Sequence, residues 1–388
     1  MADTNYRSTP KLNANAMNTP QARIQTWLEA QVAAGPEAGL QVAAYHKGKL
    51  VVDAWAGVDV ITGKPVDGDT LFVTFSTTKG ITVTVIHLLA ERGLIDYDAP
   101  VAAYWPAFGQ NGKAGITVRQ VLAHTAGVPH LPLDTTPEDM SDWAKQVRWM
   151  EAAAPLWEPG TQTGYHALTI GIILGHLAEL VDGRPIAQIV REDICAPLKI
   201  DSLFFGAPDA VMDRIATLDF LLNPDMPMLP ADALVWRAIP VSLQPLNTMA
   251  NRADFRKAVV PAGNMVANAR ALAKVYASLI GDGVYGVRLL PKERVQIATE
   301  MQTDGMDCVL GAAWPKGMGY FLGSASAPQT CVSATGFGHT GAGGFTAYAD
   351  PARDLAFALC KTRMVDLMDP NAYIARRFER ELHQVLRI

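Results

Sequence analysis

Leu71-Phe72-Val73-Thr74-Phe75-Ser76-Thr77-Thr78-Lys79-Gly80 runs from an apolar, strand-like segment into the apolar helical run Ile81–Leu89. In the first turn of a helix, residues i and i+3 share one face, so the Lys79 amine can sit beside the Ser76 hydroxyl. A serine hydroxyl is a poor nucleophile until a neighbouring base takes its proton. The start of the helix also offers free backbone N–H groups that can stabilise an oxyanion. Taken alone, Ser-x-x-Lys more often marks a helix cap followed by a surface lysine. A second copy, Ser8-Thr9-Pro10-Lys11, lies in a polar arm and carries proline, so it reads as coincidence. The surrounding chain has to separate chemistry from chance.

Strand signals sit toward both ends of the chain. Upstream, Gln21–Ala33 places Ile24, Trp27, Leu28 and Val32 at helical spacing. Leu40–Tyr45 and Leu50–Gly57 are apolar, β-prone runs on either side of His46-Lys47-Gly48-Lys49, the pattern of a hairpin. Far downstream, Gly344–Ala349 and Leu355–Cys360 flank Asp350-Pro351-Ala352-Arg353-Asp354 in the same way, and a last helix is predicted over Asn371–Leu386. Between the ends, helix candidates dominate: Gly80–Arg92, Val118–Leu122, Thr169–Val181, Ile186–Ile194 and Ala269–Ile280. Asp219–Leu246 is rich in Pro, Met and Leu without a clear period and is expected to be an ordered loop. The pattern predicts an α+β fold, with an antiparallel β-sheet formed from both chain ends and flanked by helices, and a mainly helical domain inserted between them. The expected organisation is a flexible arm over residues 1–20, a sheet domain from 21–75 and 260–388, and a helical domain over 76–259.

Composition narrows the function. The 388 residues are 49% hydrophobic and 18% charged, which excludes a disordered chain. Net charge is −5 and no Lys/Arg block occurs, so a nucleic-acid partner is not expected. No apolar run reaches transmembrane length, and Met1–Pro20 lacks the charged-then-apolar pattern of a secretory signal. A soluble protein that stays in the cytoplasm, away from membranes, is expected. Cys195, Cys308, Cys331 and Cys360 have no C-x-x-C spacing and read as reduced thiols. There is no His-Glu-x-x-His or comparable cluster, so neither a metal nor another cofactor is expected. No serine has Gly at both −2 and +2, which removes the nucleophile-elbow route.

Two further segments carry chemistry. Trp157-Glu158-Pro159-Gly160-Thr161-Gln162-Thr163-Gly164-Tyr165-His166-Ala167 sets a tyrosine on a turn before a helix; alone, it also fits a buried tyrosine anchoring that turn. Gly338-His339-Thr340-Gly341-Ala342-Gly343-Gly344 is a small-residue strand edge that a substrate can approach closely, or simply a glycine-rich bulge.

In order and spacing, the three segments resemble the serine β-lactamase and penicillin-binding-protein superfamily, whose signature is Ser-x-x-Lys, Tyr-x-Asn and a Lys-Thr-Gly-type strand. The similarity is to its class C-like esterases, the family VIII carboxylesterases, and spans roughly residues 35–365. Leu88–Val101 and Ile116–Gly127 add to it. The resemblance implies an active site between the two domains, with Ser76 as nucleophile and Lys79 and Tyr165 together handling its proton. It implies an oxyanion hole from the backbone N–H groups of Ser76 and Ala342. His339 and Gly341 would touch substrate, though His339 also fits a strand residue bonded to a neighbour; in the apolar stretch Asp219–Leu246, Trp236, with Met226, Met228, Leu229 and Leu243, could wall an acyl or alcohol pocket or simply fill core. Two positions depart from the β-lactamase pattern: Ala167 stands where the Asn belongs, and His339 where the Lys belongs. A methyl cannot hold an acylamido group, and a largely neutral imidazole attracts a carboxylate less than an ammonium does. Both changes fit an esterase. His166 reads as structural or supporting, and Tyr97 and His124 as packing and turn residues. The implied function is a serine carboxylesterase acting on small to medium esters through an acyl-enzyme. The alternatives are an acyltransferase or an amide or β-lactam hydrolase on the same scaffold, or a silent penicillin-recognising fold.

Overall fold

The first strand of the hairpin, Gly39–His46 (β1), is apolar on successive residues because both faces of its sheet are covered. Leu40, Val42 and Ala44 face one layer, with helices Pro20–Ala33 (α1) and Ile374–Leu386 (α5); Ala43 and Tyr45 face the other, where Ala269–Ala277 (α4) lies. The structure is a computed structural model that describes residues 19–223, 229–327, 329–366 and 374–388. Besides β1, the main sheet contains Lys49–Gly57 (β2), Phe321–Leu322 (β3), Phe337–Gly341 (β4), Phe345–Asp350 (β5) and Leu355–Lys361 (β6). Its order is β2-β1-β6-β5-β4-β3, antiparallel throughout, so strands from both chain ends meet at β1 and β6. The β1–β2 turn is two residues long, with φ +52 at Lys47 and +67 at Gly48, the handedness that matches strand twist.

The layer under α4 is made of small side chains: Ala43, Ala347, Ala349, Ala356 and Ala358 are all buried there. Helix Thr77–Glu91 (α2) is buried along nearly its whole length, from Thr77 to Ala90. It lies between the sheet side and helix Thr169–Asp182 (α3). Gly80 lets α2 approach α4: a Cβ there would come 1.9 Å from the phenol oxygen of Tyr276. A second, three-stranded sheet pairs Val266–Ala267 with both Phe72–Val73 and Leu203–Phe204, tying the entry of α2 to a distant return of the chain.

Some expectations are corrected. Ile186–Ile194 is not one regular helix; it is α-helical over Ile186–Ile189 and widens to π-helix over Val190–Cys195. Asp219–Leu246 is not merely a loop. Asp219–Leu221 pairs in parallel with Arg363–Val365, and single helical turns form at Val235–Ala238 and Val241–Leu243. Pro240, between them, keeps those turns from joining, since proline cannot continue a helix. Ser8–Lys11, the polar arm through residue 18, and the expected start of α5 at Asn371 lie outside the described residues. Among the described residues, no helix is long and apolar enough to cross a membrane.

Candidate active site

The residue before the serine is held in an unusual backbone conformation. Phe75 has φ +47, the left-handed region that residues with a Cβ seldom occupy. Its surroundings over-determine it. The buried Phe75 ring meets Phe345 edge-on at 5.7 Å, and the Thr78 hydroxyl donates to the Phe75 carbonyl. Thr77 Oγ1 donates to Thr74 O at 2.9 Å, and the Thr74 and Met265 backbones bond across the small sheet. The three threonines of the motif neighbourhood thus stitch the turn. Ser76 follows at the N-cap of α2 but makes no side-chain cap hydrogen bond, which leaves its hydroxyl available.

Lys79 is not a surface lysine: it is 1% exposed. Its Nζ lies 2.8 Å from Ser76 Oγ and 2.8 Å from the Ala262 carbonyl oxygen. Desolvation holds the amine well below the ordinary lysine pKa, and no carboxylate among the described residues opposes the shift.

Tyr165 comes from the loop before α3. Its phenol is near enough to the Ser76 side chain for that hydroxyl to bear on its pKa, and Lys79 Nζ stands 5.0 Å from its ring centre. Burial pushes the phenol above its usual pKa, the Ser76 hydroxyl opposing. The Tyr165 N–H donates to Asp307 Oδ1 at 3.0 Å. Asp307 is wholly buried, accepts also from the Val309 and Leu310 N–H groups, and pairs with buried Lys316 at 2.8 Å. Lys316 in turn donates to Thr163 Oγ1 at 2.9 Å, and Cys308 N–H to Thr163 O at 3.0 Å. Sequence reading missed this brace. An Asp and a Lys nine residues apart carry no pattern that shows they are buried together against the tyrosine loop.

The third segment closes the site from the sheet. Gly341 ends β4 against the nucleophile turn; a Cβ there would lie 2.5 Å from Thr74 O. Ala342 opens the single turn Ala342–Gly344, which requires φ +79 at Gly343 and +101 at Gly344, and it lines one pocket with Ser76. That pocket has a cavity volume of about 60 Å³ and is walled by Met140, Ala167, Leu243, Leu246, Met249 and Phe255 among others, with no charged side chain.

His339, Gly341 and Trp236, expected to touch substrate, are not among the residues that wall this pocket, and neither are Lys79 and Tyr165. His339 is fully buried, stacked on Phe321 at 4.0 Å, with its ring centre 6.1 Å from that of Tyr165. Its Nδ1 bonds Thr340 O at 2.7 Å, and burial with the nearby Lys79 keeps the ring neutral. Trp236, on the turn Val235–Ala238, donates its indole N–H to Pro230 O at 2.9 Å and is not among the residues that wall this pocket. Of the other expected wall residues, Leu243 lines the pocket, Leu229 is exposed, and Met226 and Met228 lie outside the described residues. His166 spends both ring nitrogens on backbone, Nδ1 on Gly164 O and Nε2 on Val128 N–H; burial pushes it down to about 4. The Tyr97 hydroxyl is bonded to His87.

A wider, polar pocket opens between Asp59, Arg214 and Arg256, but none of the residues above lines it. Its Arg214 and Arg256 are engaged by backbone carbonyls of Asp69, Ala250 and Ala216. Among the described residues, no group of three or more His, Cys, Asp or Glu is arranged to hold a metal ion.

With this geometry in hand, comparison with known proteins is informative. The family model described as Beta-lactamase matches residues 24–380. The chain is 35% identical over 347 residues to the esterase/beta-lactamase LipL of Mycobacterium tuberculosis, covering 84% of this chain and 77% of that one. It is similar in structure to a family VIII carboxylesterase, at 31% identity and a TM-score of 0.84 over 95% of this chain and 97% of that one. It is likewise similar to a penicillin-binding protein homolog from Caulobacter crescentus, at 31% identity and a TM-score of 0.82, covering 93% and 97% of the two chains. Similarity that spans residues 24–380, and with them all three site segments, leaves one conclusion: this chain is a serine hydrolase that belongs to the beta-lactamase family.

Proposed function

We propose that the protein is a carboxylesterase that hydrolyses small-molecule esters through an acyl-enzyme on Ser76. The observation that carries this reading is the Ser76 hydroxyl 2.8 Å from an amine that is buried without a counter-ion. An amine so placed is neutral and has a lone pair for the serine proton. As Ser76 Oγ attacks the ester carbonyl, Lys79 takes that proton, and the backbone N–H groups of Ser76 and Ala342 receive the negative charge that develops on the carbonyl oxygen. The raised pKa of Tyr165 keeps its phenol protonated, so it serves as the donor that passes a proton to the leaving alcohol, with Lys79 replenishing it. Water then cleaves the acyl-enzyme by the same transfers in reverse. The pocket walls favour an apolar acyl group. The Ala167 methyl and the neutral His339 offer nothing to an acylamido group or a carboxylate, which supports esters over β-lactams. His339 and Gly341 act from behind, one backing Tyr165 and the other keeping β4 tight against Thr74.

Ser76→Ala tests the reading with p-nitrophenyl butyrate. Turnover should fall by at least on the order of 10⁴-fold, and a phosphonate probe should label wild type at Ser76 by mass spectrometry. Retained turnover, or an adduct elsewhere, would overturn it. Acylated alcohol in place of free acid, when alcohols are added, would redirect the reading to acyl transfer.

A further inference from the structure

Three consecutive backbone N–H groups around Tyr165 are bound by acceptors from outside their own loop. Gly164 donates to the His124 carbonyl at 3.0 Å, Tyr165 to Asp307 Oδ1 at 3.0 Å, and His166 to His124 Nδ1 at 3.0 Å. Two of the three acceptors belong to one residue, whose ring centre also lies 5.1 Å from that of Tyr165. His124 is 1% exposed and holds φ +60, so both its backbone and its ring are committed. The residues after it extend the brace: Thr125 O accepts from Gly160 N–H, Gly127 O from Leu156 N–H, and Val128 N–H donates back to His166 Nε2. Because Nδ1 accepts from a backbone N–H, the ring is neutral with its proton on Nε2. Nε2 has no partner among the described residues. A turn residue needed only for its left-handed backbone would require no imidazole here. Asn or Gly would serve that conformation with less strain.

We propose that His124 is a positioning residue for Tyr165. It brackets the tyrosine on both sides, with its carbonyl on Gly164, its Nδ1 on His166 and its ring against the phenol ring, and so sets the hydroxyl relative to Ser76. This rests on the reading that Tyr165 works with Lys79 at Ser76.

The test compares three substitutions. His124→Asn keeps an acceptor where Nδ1 stands and tolerates the left-handed backbone. His124→Phe keeps an aromatic ring but offers no acceptor. His124→Gln reaches to the Nε2 position, leaving the His166 N–H unmet, and serves where the Phe variant fails to fold. The readout is kcat for p-nitrophenyl butyrate per phosphonate-titrated site, with KM and Tm beside it. The Phe and Gln variants should lose on the order of 10- to 100-fold in kcat with KM little changed, the size of effect expected when a reacting group is displaced by about 1 Å. The Asn variant should recover most of that loss, whatever happens to Tm. Wild-type kcat per titrated site in Phe and Gln, or no recovery in Asn, would overturn the assignment. Tyr165→Phe separates the two levels. A fully active Tyr165→Phe defeats the underlying reading, whereas an inactive one beside unaffected His124 variants defeats His124 alone.

Discussion

Lys79 and Lys316 are equally buried and differ in one respect: Lys316 has a carboxylate and Lys79 does not. The Lys316 amine lies 2.8 Å from Asp307 and 2.9 Å from the Thr163 hydroxyl, whereas Lys79 meets the Ser76 hydroxyl, the Ala262 carbonyl and the Tyr165 ring. Burial pulls both amines down, but at Lys316 the Asp307 charge pulls back up. Lys361, buried against Glu37 at 2.7 Å, repeats the paired arrangement far from the site. Depth alone therefore does not mark a base. Lys79 has no carboxylate partner among the described residues, and in the proposed mechanism the same desolvation that makes Lys316 depend on Asp307 makes Lys79 the proton acceptor.

The largest effect expected from this contrast is at Lys79. Lys79→Met removes the acceptor at similar volume, and kcat/KM for p-nitrophenyl butyrate should fall on the order of 10³- to 10⁴-fold. Its stability should not fall with it. Desolvation holds the folded-state pKa below that of the unfolded chain, so between the two values the folded wild type binds fewer protons and its stability rises with pH toward the ordinary lysine pKa. Lys79→Met has no such group to titrate. Its Tm at pH 7 should equal or exceed that of wild type, with the difference closing as pH approaches 10. A matching limb belongs in the wild-type rate: kcat/KM should reach its plateau well below pH 10.5, since the neutral amine is the active form. A rise in rate centred near the ordinary lysine value would show that Lys79 is not desolvated.

Lys316→Met should do the reverse, and more weakly on rate. It strands the Asp307 carboxylate in the interior, and a broken buried pair costs about 3–5 kcal/mol. Chemical denaturation should show that loss, while kcat per titrated site falls far less than in Lys79→Met. Asp307→Asn leaves an oxygen for the Tyr165, Val309 and Leu310 N–H groups, so it should displace Tyr165 less than Asp307→Ala does. Equal kcat in the Asn and Ala variants would mean that this acceptor does not hold the tyrosine loop.

The contrast also explains what could be read in advance. Ser76, Lys79, Tyr165 and Ala342 sit in local patterns, a helix start and a glycine-marked strand end, and the structure brings these four to one place. The sheet was legible for a similar reason, since its hairpin at Lys47-Gly48 and its apolar runs are local in sequence. The brace was not. Asp307, Lys316 and His124 act through pairings with residues 163–166, and such partners leave no mark on their neighbours in sequence. His124 was read as a turn residue, which its φ of +60 agrees with, while the use of its ring was invisible. At Trp236 the limit is different: an apolar, proline-broken stretch says that large side chains must be covered, not by which neighbour.

The smallest effect concerns the pocket, where the same rule applies to an amide in place of a charge. Ala167 is 2% exposed and lines the pocket beside Ser76 and Leu168. Ala167→Asn restores the residue type of the β-lactamase pattern but sets an amide against an apolar acyl group. A buried amide without a partner costs about 1–3 kcal/mol, so kcat/KM for butyrate should drop roughly 10-fold, and up to about 100-fold. A substrate that carries its own amide can meet the new side chain and avoid that penalty. Turnover of a β-lactam such as nitrocefin, measured relative to butyrate on the same preparation, should therefore rise. Unchanged butyrate kinetics would mean that the acyl group does not sit against Ala167, and would move the binding site away from the Met249 and Phe255 wall even if Ser76 remains the nucleophile.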